Sequence, residues 1–209
     1  MLRSVETRIT HPDGRTFVEQ KTVGGGGSKP GPTERRLLDH LGFGVTYHLF
    51  VDQTPDLQVG EVLPGLLIGS QDAAEDLELL RSLRVTHVVN LATMVPNFYP
   101  ADFVYLSLAV LDLPSEDVAS KFEDVNSFVE AALSSSAEGK GVVLIHCNAG
   151  ISRAATFVCA YLIGRRARTF EQALEEVRRA RPKVCPNAGF VRQLREHERA
   201  IKGRDDSAT

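Results

Sequence analysis

The apolar run GVVLIH at residues 141–146 is followed directly by a glycine-containing loop. The run shows no alternation of polar and apolar residues, as is typical of a central strand in a parallel sheet, covered on both faces. After the loop, the apolar stretch ATFVCAYLIG predicts a helix that ends with Gly164 as its C-terminal cap. A strand, a loop and a helix in this order indicate an α/β domain.

The rest of the chain from Leu57 onward repeats this alternation of short apolar runs and helical periodicity. It predicts an α/β fold with a central, mostly parallel sheet flanked by helices. Two short strands are expected on either side of the Pro64-Gly65 turn, and two more in VTHVVNLA and FVYLSLAV. A helix that opens at Ser115 should turn a stripe of apolar residues toward the core, at Val118, Phe122, Val125 and Val129.

The other helix boundaries are predicted from capping residues. Ser70 is expected to cap the first helix, and Thr169 with Gln172 forms a capping box for a helix that stops before Pro182. Asn187 is expected to cap the last helix of the chain.

Three regions follow from composition. Residues 1–50 are predicted to be a flexible N-terminal segment, because residues 24–32, GGGGSKPGP, form a glycine-rich linker that cannot bury a core. The stretch TERRLLDHLGF, from Thr33, could form a two-turn amphipathic helix that packs on the main domain or docks in an acidic groove of a partner. The main domain is predicted over 57–201, and 202–209 are predicted to be a disordered tail.

Composition excludes several classes of protein. The 209 residues are 43% apolar with a net charge of -3, and the longest apolar runs fall far short of the roughly 20 residues that a bilayer requires. The N-terminus lacks the apolar segment of a signal peptide, and the three cysteines fit reduced thiols, so we expect a cytoplasmic or nuclear protein. The C-terminal third is basic, but without a nucleic-acid motif it is interpreted as solvated helix faces, with neither nucleic acid nor membrane as partner.

The chemistry is expected at HCNAGISR, residues 146–153, where the central strand meets its helix. Unpaired backbone N–H groups and the helix dipole make such a position an anion site. A glycine lets the backbone curl so that successive amides point inward. The arginine's planar guanidinium can bind two phosphate oxygens in the same bowl. The predicted phosphate-binding residues are Asn148, Ala149, Gly150, Ile151, Ser152 and Arg153.

Cys147 lies at the floor of this bowl, in residues 147–153, which we call the cysteine loop. The positive field that attracts an anion also favours the thiolate, which is the nucleophilic form of cysteine. A thiolate seated there could attack phosphorus and form a phosphocysteine that water later hydrolyses, in a two-step reaction that needs no metal or other cofactor.

A leaving oxygen needs a proton, and Asp112 is the candidate acid. It follows the predicted strand FVYLSLAV, and Pro114 close behind it is typical of a loop. Glu116 and Asp117 are rivals, but both are expected in the first turn of the next helix, where the helix dipole explains an acidic residue without catalysis.

The stretch HCNAGISRA resembles the signature of cysteine-dependent protein phosphatases, and residues 57–201 resemble the atypical dual-specificity phosphatases throughout. The segments LQVGEVLPGLLIGSQDAAEDL, VLDLP and RARPKVCPNAGF are most similar to the members that regulate stress-activated kinase pathways. The resemblance implies Cys147 as nucleophile, Arg153 as phosphate ligand and Asp112 as general acid. It also implies removal of phosphate from tyrosine, serine and threonine of protein substrates, among them MAP kinases or their upstream kinases. The protein is expected to be a monomer.

One departure from the family pattern concerns Ala154, which stands where most members have a serine or threonine. The missing hydroxyl would hydrogen-bond the leaving thiolate, so a slow second step is expected. Two other functions stay open: a kinase-binding scaffold with weak catalysis, and a phosphatase of a non-protein substrate such as a phosphoinositide or an RNA 5′-triphosphate. His146, Cys159 and Cys185 are interpreted as structural, and the resemblance suggests that Asn187 also braces the bowl.

Overall fold

The computed structural model of the chain describes residues 3–10, 16–23, 33–39, 46–51, 55–134 and 141–207, with side chains described over 55–134 and 141–203. The chain divides into two compact units, Met1–Thr54 and Pro55–Thr209.

The first unit is an antiparallel sheet of four strands in the order β1-β2-β3-β4. Its strands are β1 Arg3–Thr10, β2 Thr16–Val23, β3 Thr33–Asp39 and β4 Thr46–Val51. The sequence predicts a flexible segment here, whereas these four ranges pair as strands. The glycine-rich linker predicted over 24–32 lies outside the described residues.

The short helix predicted from Thr33 is wrong, because that stretch is β3. Each side of β3 is hydrogen-bonded, with Leu37 opposite both Glu19 of β2 and Tyr47 of β4. An isolated helix of two turns is marginal in water, since its nucleation cost is spread over few hydrogen bonds. Pairing with two neighbouring strands therefore outweighs the helical periodicity of the leucines.

The second unit has a five-stranded sheet in the order β5-β6-β9-β7-β8, and only β5 runs antiparallel to its neighbour. The strands are β5 Gly60–Leu63, β6 Leu66–Gly69, β7 His87–Asn90, β8 Val104–Ser107 and β9 Val143–His146. The prediction of a central, mostly parallel sheet is confirmed. All four residues of β9, the central strand, are buried.

Six α-helices belong to the described part of the second unit: α1 Gln71–Glu75, α2 Leu77–Ser82, α3 Phe122–Ser134, α4 Arg153–Arg166, α5 Phe170–Ala180 and α6 Ala188–Ser207. The predicted N-terminal caps are confirmed. Ser70 Oγ accepts a hydrogen bond from the Ala73 amide, Thr169 and Gln172 form the reciprocal capping box, and Asn187 Oδ1 accepts from the Phe190 amide. None of the described helices has the length and apolarity needed to cross a membrane.

The helix predicted to open at Ser115 begins later, at Phe122, after a 3-10 turn over Ala119–Lys121. The cause is tertiary, because Gln193 of α6 accepts hydrogen bonds from the amides of Val118 and Ala119 and donates one to the carbonyl of Glu116. The predicted apolar stripe is confirmed, since its four members are at most 1% exposed. Burial of each such side chain contributes about 1.5–3 kcal/mol.

Helix α4 passes through Gly164 and ends at Arg166, with Ala167 in the left-handed region at a φ of 51° as its cap. The predicted end at Gly164 is therefore wrong. A Cβ atom at that position would lie 2.9 Å from Nδ2 of the buried Asn126, so this glycine permits close packing of α4 on α3.

The tail predicted to be disordered, residues 202–209, is helical as far as Ser207, where α6 ends. Lys202 forms an ion pair with Glu198 one turn earlier, at 2.5 Å, and pairs with this spacing stabilise helices.

Candidate active site

The cysteine loop joins β9 to α4 at the edge where the parallel strands β6, β7, β8 and β9 all end. Cys147 follows the last residue of β9 directly and is 1% exposed. Ser152 occupies the N-cap position of α4, and its side chain makes no capping hydrogen bond. The first amides of this long helix therefore remain available to a ligand in the bowl.

The carbonyl groups of residues 148–151 all accept hydrogen bonds from outside the cysteine loop. The donors are the amide of Gln71 for Asn148 (3.0 Å), Nη2 of Arg181 for Ala149 (3.0 Å), Nε of Arg181 for Gly150 (2.9 Å) and the amide of Cys185 for Ile151 (2.9 Å). In a trans peptide the N–H points away from the preceding C=O. The amides of residues 149–152 are therefore turned the other way, as an anion nest requires.

Gly150 adopts a φ of 64°, in the left-handed region that favours glycine. Its backbone also lies close to β6, because a Cβ at this position would be 2.4 Å from the carbonyl oxygen of Gly69. Both observations agree with the curled backbone that the sequence predicts.

Arg153 is held over the loop by three polar groups. Its Nη2 donates to Oδ1 of Asn148 at 2.8 Å, and its Nη1 donates to the carbonyl of Val110 at 3.2 Å. Its Nε lies 3.7 Å from Oδ2 of Asp112. Asn148 in turn donates from Nδ2 to Gln71 Oε1 at 2.9 Å, so the arginine is oriented by a chain of side chains that begins in α1.

Asp112 lies in the loop after β8 and faces the cysteine loop. Its Oδ1 accepts hydrogen bonds from Oγ of Ser152 at 2.7 Å and from Nδ2 of Asn187 at 2.8 Å. The side chain is 37% exposed, which leaves it accessible from the bowl's solvent side. Asn187 thus caps α6 and also binds the carboxylate, as the resemblance suggests.

The rival acids make local contacts instead. Glu116 pairs with Lys121 at 3.3 Å, and Asp117 accepts a hydrogen bond from the Ser120 amide, which is the main cause of its lowered pKa. Both precede α3 rather than lying in its first turn. The structure thus gives them local partners, whereas only Asp112 contacts the cysteine loop in the described contacts.

The remaining predicted structural residues are buried or peripheral. Burial lowers the pKa of His146 to about 4, with partial compensation from the Cys147 backbone, so the imidazole is neutral at pH 7. Burial also raises the pKa of Cys159 to about 12, which makes it an unreactive thiol. Cys185 is exposed and, like the other two cysteines, is free. Ala154 is fully buried behind the loop.

Sequence reasoning did not identify Gln71, Arg181 or the hydroxyl of Ser152 as parts of the site. The arginine before Pro182, in RARPK, was the one available signal, but a surface arginine at a helix end has the same pattern. Within the described ranges, no three His, Cys, Asp or Glu side chains are grouped as ligands for a metal ion.

The arrangement is suited to phosphoryl transfer through cysteine. Cys147 begins a loop whose amides at 149–152 are turned inward, Arg153 lies over that loop, and the carboxyl group of Asp112 on a separate loop contacts it. Such preorganised donors stabilise the charge that develops on a transferred phosphoryl group. The fold and the site thus define a cysteine-dependent phosphatase of the α/β class.

Comparison with known proteins agrees with this class. The profile of the family "Dual specificity phosphatase, catalytic domain" matches residues 66–200. Mouse dual specificity protein phosphatase 19 is 48% identical over 147 residues, which are 70% of this chain and 65% of the mouse protein. The Dictyostelium discoideum MAP kinase phosphatase with leucine-rich repeats protein 3 is 37% identical over 139 residues, 66% of this chain and 16% of that protein. The match thus spans less than two thirds of either relative.

Among solved structures, a mouse putative dual specificity phosphatase in complex with zinc tungstate is similar at a TM-score of 0.67 and 31% identity, over 74% of this chain and 94% of that one. The chain belongs to the dual-specificity phosphatase family. Residues 66–200 carry the catalytic domain of that family.

Proposed function

We propose that this protein hydrolyses phosphotyrosine and phosphoserine or phosphothreonine in protein substrates through a phosphocysteine intermediate. The observation that carries the proposal is the contact of Asp112, from the loop after β8, with Arg153 and Ser152 of the cysteine loop, which begins at Cys147.

In the first step, the Cys147 thiolate attacks phosphorus, so that an S–P bond forms while the bond to the leaving oxygen breaks. The inward amides of residues 149–152 and the guanidinium of Arg153 bind the three phosphoryl oxygens. The guanidinium must then exchange its contacts with Asn148 and Val110 for substrate oxygens. Asp112, in its protonated form, transfers its proton to the leaving oxygen.

In the second step, water attacks the phosphocysteine and transfers a proton to the Asp112 carboxylate. The S–P bond breaks, inorganic phosphate leaves and the thiolate is restored. Ala154 provides no hydroxyl to hydrogen-bond that thiolate, and a hydrogen bond to a charged group is worth about 1.5–3 kcal/mol. The second step is therefore slow in this protein.

The physiological substrates that we propose are phosphorylated members of a stress-activated MAP kinase cascade. Two observations support them: the segments quoted above resemble regulators of such cascades, and one relative is by name a MAP kinase phosphatase. We further propose that the protein acts as a monomer in the cytoplasm or nucleus.

Hydrolysis of p-nitrophenyl phosphate tests the chemistry. The wild-type protein should release phosphate in the presence of a metal chelator, and Cys147→Ser should abolish release. Cys159→Ser is the matched control, because that thiol is buried and takes no part. Activity that persists in Cys147→Ser would refute the proposal.

A series of aryl phosphates tests the acid. Asp112→Asn should reduce kcat/KM by about 100- to 10,000-fold for poor leaving groups, with a smaller loss for good ones, since only a poor leaving group needs the proton. Equal losses over the series would exclude Asp112 as the proton donor.

The substrate class is tested with doubly phosphorylated activation-loop peptides of stress-activated kinases. Release of phosphate from both phosphotyrosine and phosphothreonine is expected. Hydrolysis of a phosphoinositide with higher kcat/KM than any phosphopeptide would favour a non-protein substrate instead.

A further inference from the structure

Arg181 is the largest fully buried side chain in the described part of the chain, and the reaction steps above do not use it. We propose that Arg181 is a positioning residue of the cysteine loop, which sets the direction of two inward amides, and that Asp56 holds Arg181 in place. This inference rests on the proposed function and deepens it.

The contacts of Arg181 with the loop are made through two nitrogens of one rigid guanidinium. Nε donates to the carbonyl of Gly150 at 2.9 Å and Nη2 to the carbonyl of Ala149 at 3.0 Å. Because each peptide is trans, fixing these two carbonyls outward fixes the amides of Gly150 and Ile151 inward. These two amides lie at the middle of the loop, where Gly150 makes the backbone most free to rotate.

The other two outward carbonyls are bound by backbone amides, namely those of Gln71 and Cys185. Any side chain at those two positions other than proline would supply the same donor. The two central carbonyls depend on a side chain, so the identity of residue 181 decides whether the nest keeps its shape. A lysine has a single donor atom and lacks the planar fork that spans two carbonyls.

Arg181 is itself fixed by the first residues of the second unit. Nη2 also donates to Oδ2 of Asp56 at 2.6 Å, and Nη1 donates to the carbonyl of Gln58. A buried charge is tolerated only when it is paired and hydrogen-bonded, and Asp56 supplies the opposite charge. Burial alone would raise the pKa of Asp56, but hydrogen bonds from Lys183 and Arg181 outweigh it and hold that pKa below its ordinary value.

Asp56 is anchored in turn to the start of α1. Its amide donates to Oδ2 of Asp72 at 2.9 Å, and its carbonyl accepts a hydrogen bond from Oγ of Ser70 at 2.6 Å. Asp56 lies two residues after Thr54, where the first unit ends. The beginning of the catalytic unit is thus connected to the phosphate-binding backbone through two side chains, Asp56 and Arg181.

Lys183 provides a matched control. Its ammonium group forms an ion pair with Asp56 Oδ2, the oxygen that also accepts a hydrogen bond from Arg181. The Lys183 side chain is 40% exposed, and its described hydrogen bond goes to Asp56 rather than to a loop carbonyl. Lys183→Met therefore removes a positive charge from the same cluster without removing a donor to the loop.

The test compares Arg181→Lys, Asp56→Asn and Lys183→Met with the wild-type protein. The readouts are the inhibition constant of inorganic phosphate, kcat and KM for p-nitrophenyl phosphate, and the melting temperature. Loss of an outer partner that orients a metal ligand costs about 10- to 100-fold in affinity or activity. By analogy, Arg181→Lys should weaken phosphate inhibition by about tenfold or more and raise KM with it. Asp56→Asn should act in the same direction with a smaller change, and Lys183→Met should leave both constants within about twofold.

A different result is expected if Arg181 and Asp56 only stabilise the fold. Their replacement then lowers the melting temperature and the fraction of active enzyme, but leaves the phosphate inhibition constant and KM of the remaining active enzyme unchanged. That result in both Arg181→Lys and Asp56→Asn overturns the inference. If Arg181→Lys does not fold, the less buried Asp56→Asn decides by itself. Failure of the wild-type protein to hydrolyse p-nitrophenyl phosphate would instead overturn the proposed function.

Discussion

Replacement of Gly150 by alanine should disable the cysteine loop far more than it destabilises the fold. The glycine adopts a φ of 64°, and an added Cβ would lie 2.4 Å from the carbonyl oxygen of Gly69 and 2.8 Å from Nη2 of Arg181. The first neighbour is backbone at the end of a central strand, which has little freedom to move. The loop must therefore shift to accept even a methyl group.

The magnitude follows from these distances. The left-handed conformation costs a non-glycine residue about 1–2 kcal/mol. The added Cβ would lie about 1 Å nearer to the Gly69 carbonyl oxygen than the 3.4 Å at which ordinary van der Waals contact begins. The loop must therefore move by a comparable distance. A misplacement of about 1 Å can cost on the order of 100-fold in rate. Each kcal/mol of lost stability lowers the melting temperature of a domain of this size by only about 2–4 °C.

The assay is kcat/KM for p-nitrophenyl phosphate beside a thermal melt of the same sample. Gly203→Ala is the matched control, because Gly203 lies in the exposed part of α6 with nothing within 4 Å of an added Cβ. That change should leave activity intact and stabilise the helix by about 0.5–1 kcal/mol. If Gly150→Ala retains kcat/KM within about twofold, the argument that this loop needs a glycine is wrong.

Three further predictions concern neighbouring residues. Ala154→Ser should raise steady-state turnover by about 10- to 100-fold, because the new hydroxyl can hydrogen-bond the leaving thiolate; unchanged turnover and burst amplitude would contradict this. Asn187→Ala should lower kcat for poor leaving groups by about 3- to 10-fold, because Asp112 loses a hydrogen bond; kinetics over a series of leaving groups measure this effect. The same change removes the cap of α6 and should lower the free energy of unfolding by about 1 kcal/mol, which a thermal melt measures. The folded-state pKa of His146, about 4, lies below the ordinary 6.5, so the unfolded state binds more protons as the pH falls from 6.5 to 4. The free energy of unfolding should therefore fall by about 3 kcal/mol over that range, and urea titrations of His146→Gln should lack this part of the pH dependence.

The fold of the second unit was predictable because its signals are local. The unbroken apolar run at 141–146 indicates a buried parallel strand, and Ser70, Thr169 and Asn187 satisfy amides within three residues of themselves. The helix ends that were predicted wrongly depend on distant partners. Gln193 sets where α3 begins, and the packing of α4 on Asn126 gives Gly164 a different role from a cap.

In the first unit, the spacing of Leu37, Leu38 and Leu41 favours a helix, whereas Thr33–Asp39 is a strand. Pairing with β2 and β4 decided between them, and those partners lie at other places in the sequence. The spacing of residues within one segment does not show which strands elsewhere in the sequence will pair with it.

For the site, local spacing was enough to predict the cysteine, the glycine and the arginine of the loop, because their chemistry depends on positions within eight residues. The sequence also proposed Asp112 from its position after a strand. The folded chain was needed to show that Asp112, rather than Glu116 or Asp117, contacts the loop. Only the tertiary structure brought in Arg181, whose two loop carbonyls are more than 30 residues earlier in the chain. The physical reason is that a carbonyl's direction is fixed by its donor, and a folded chain can supply that donor from any distance along the sequence.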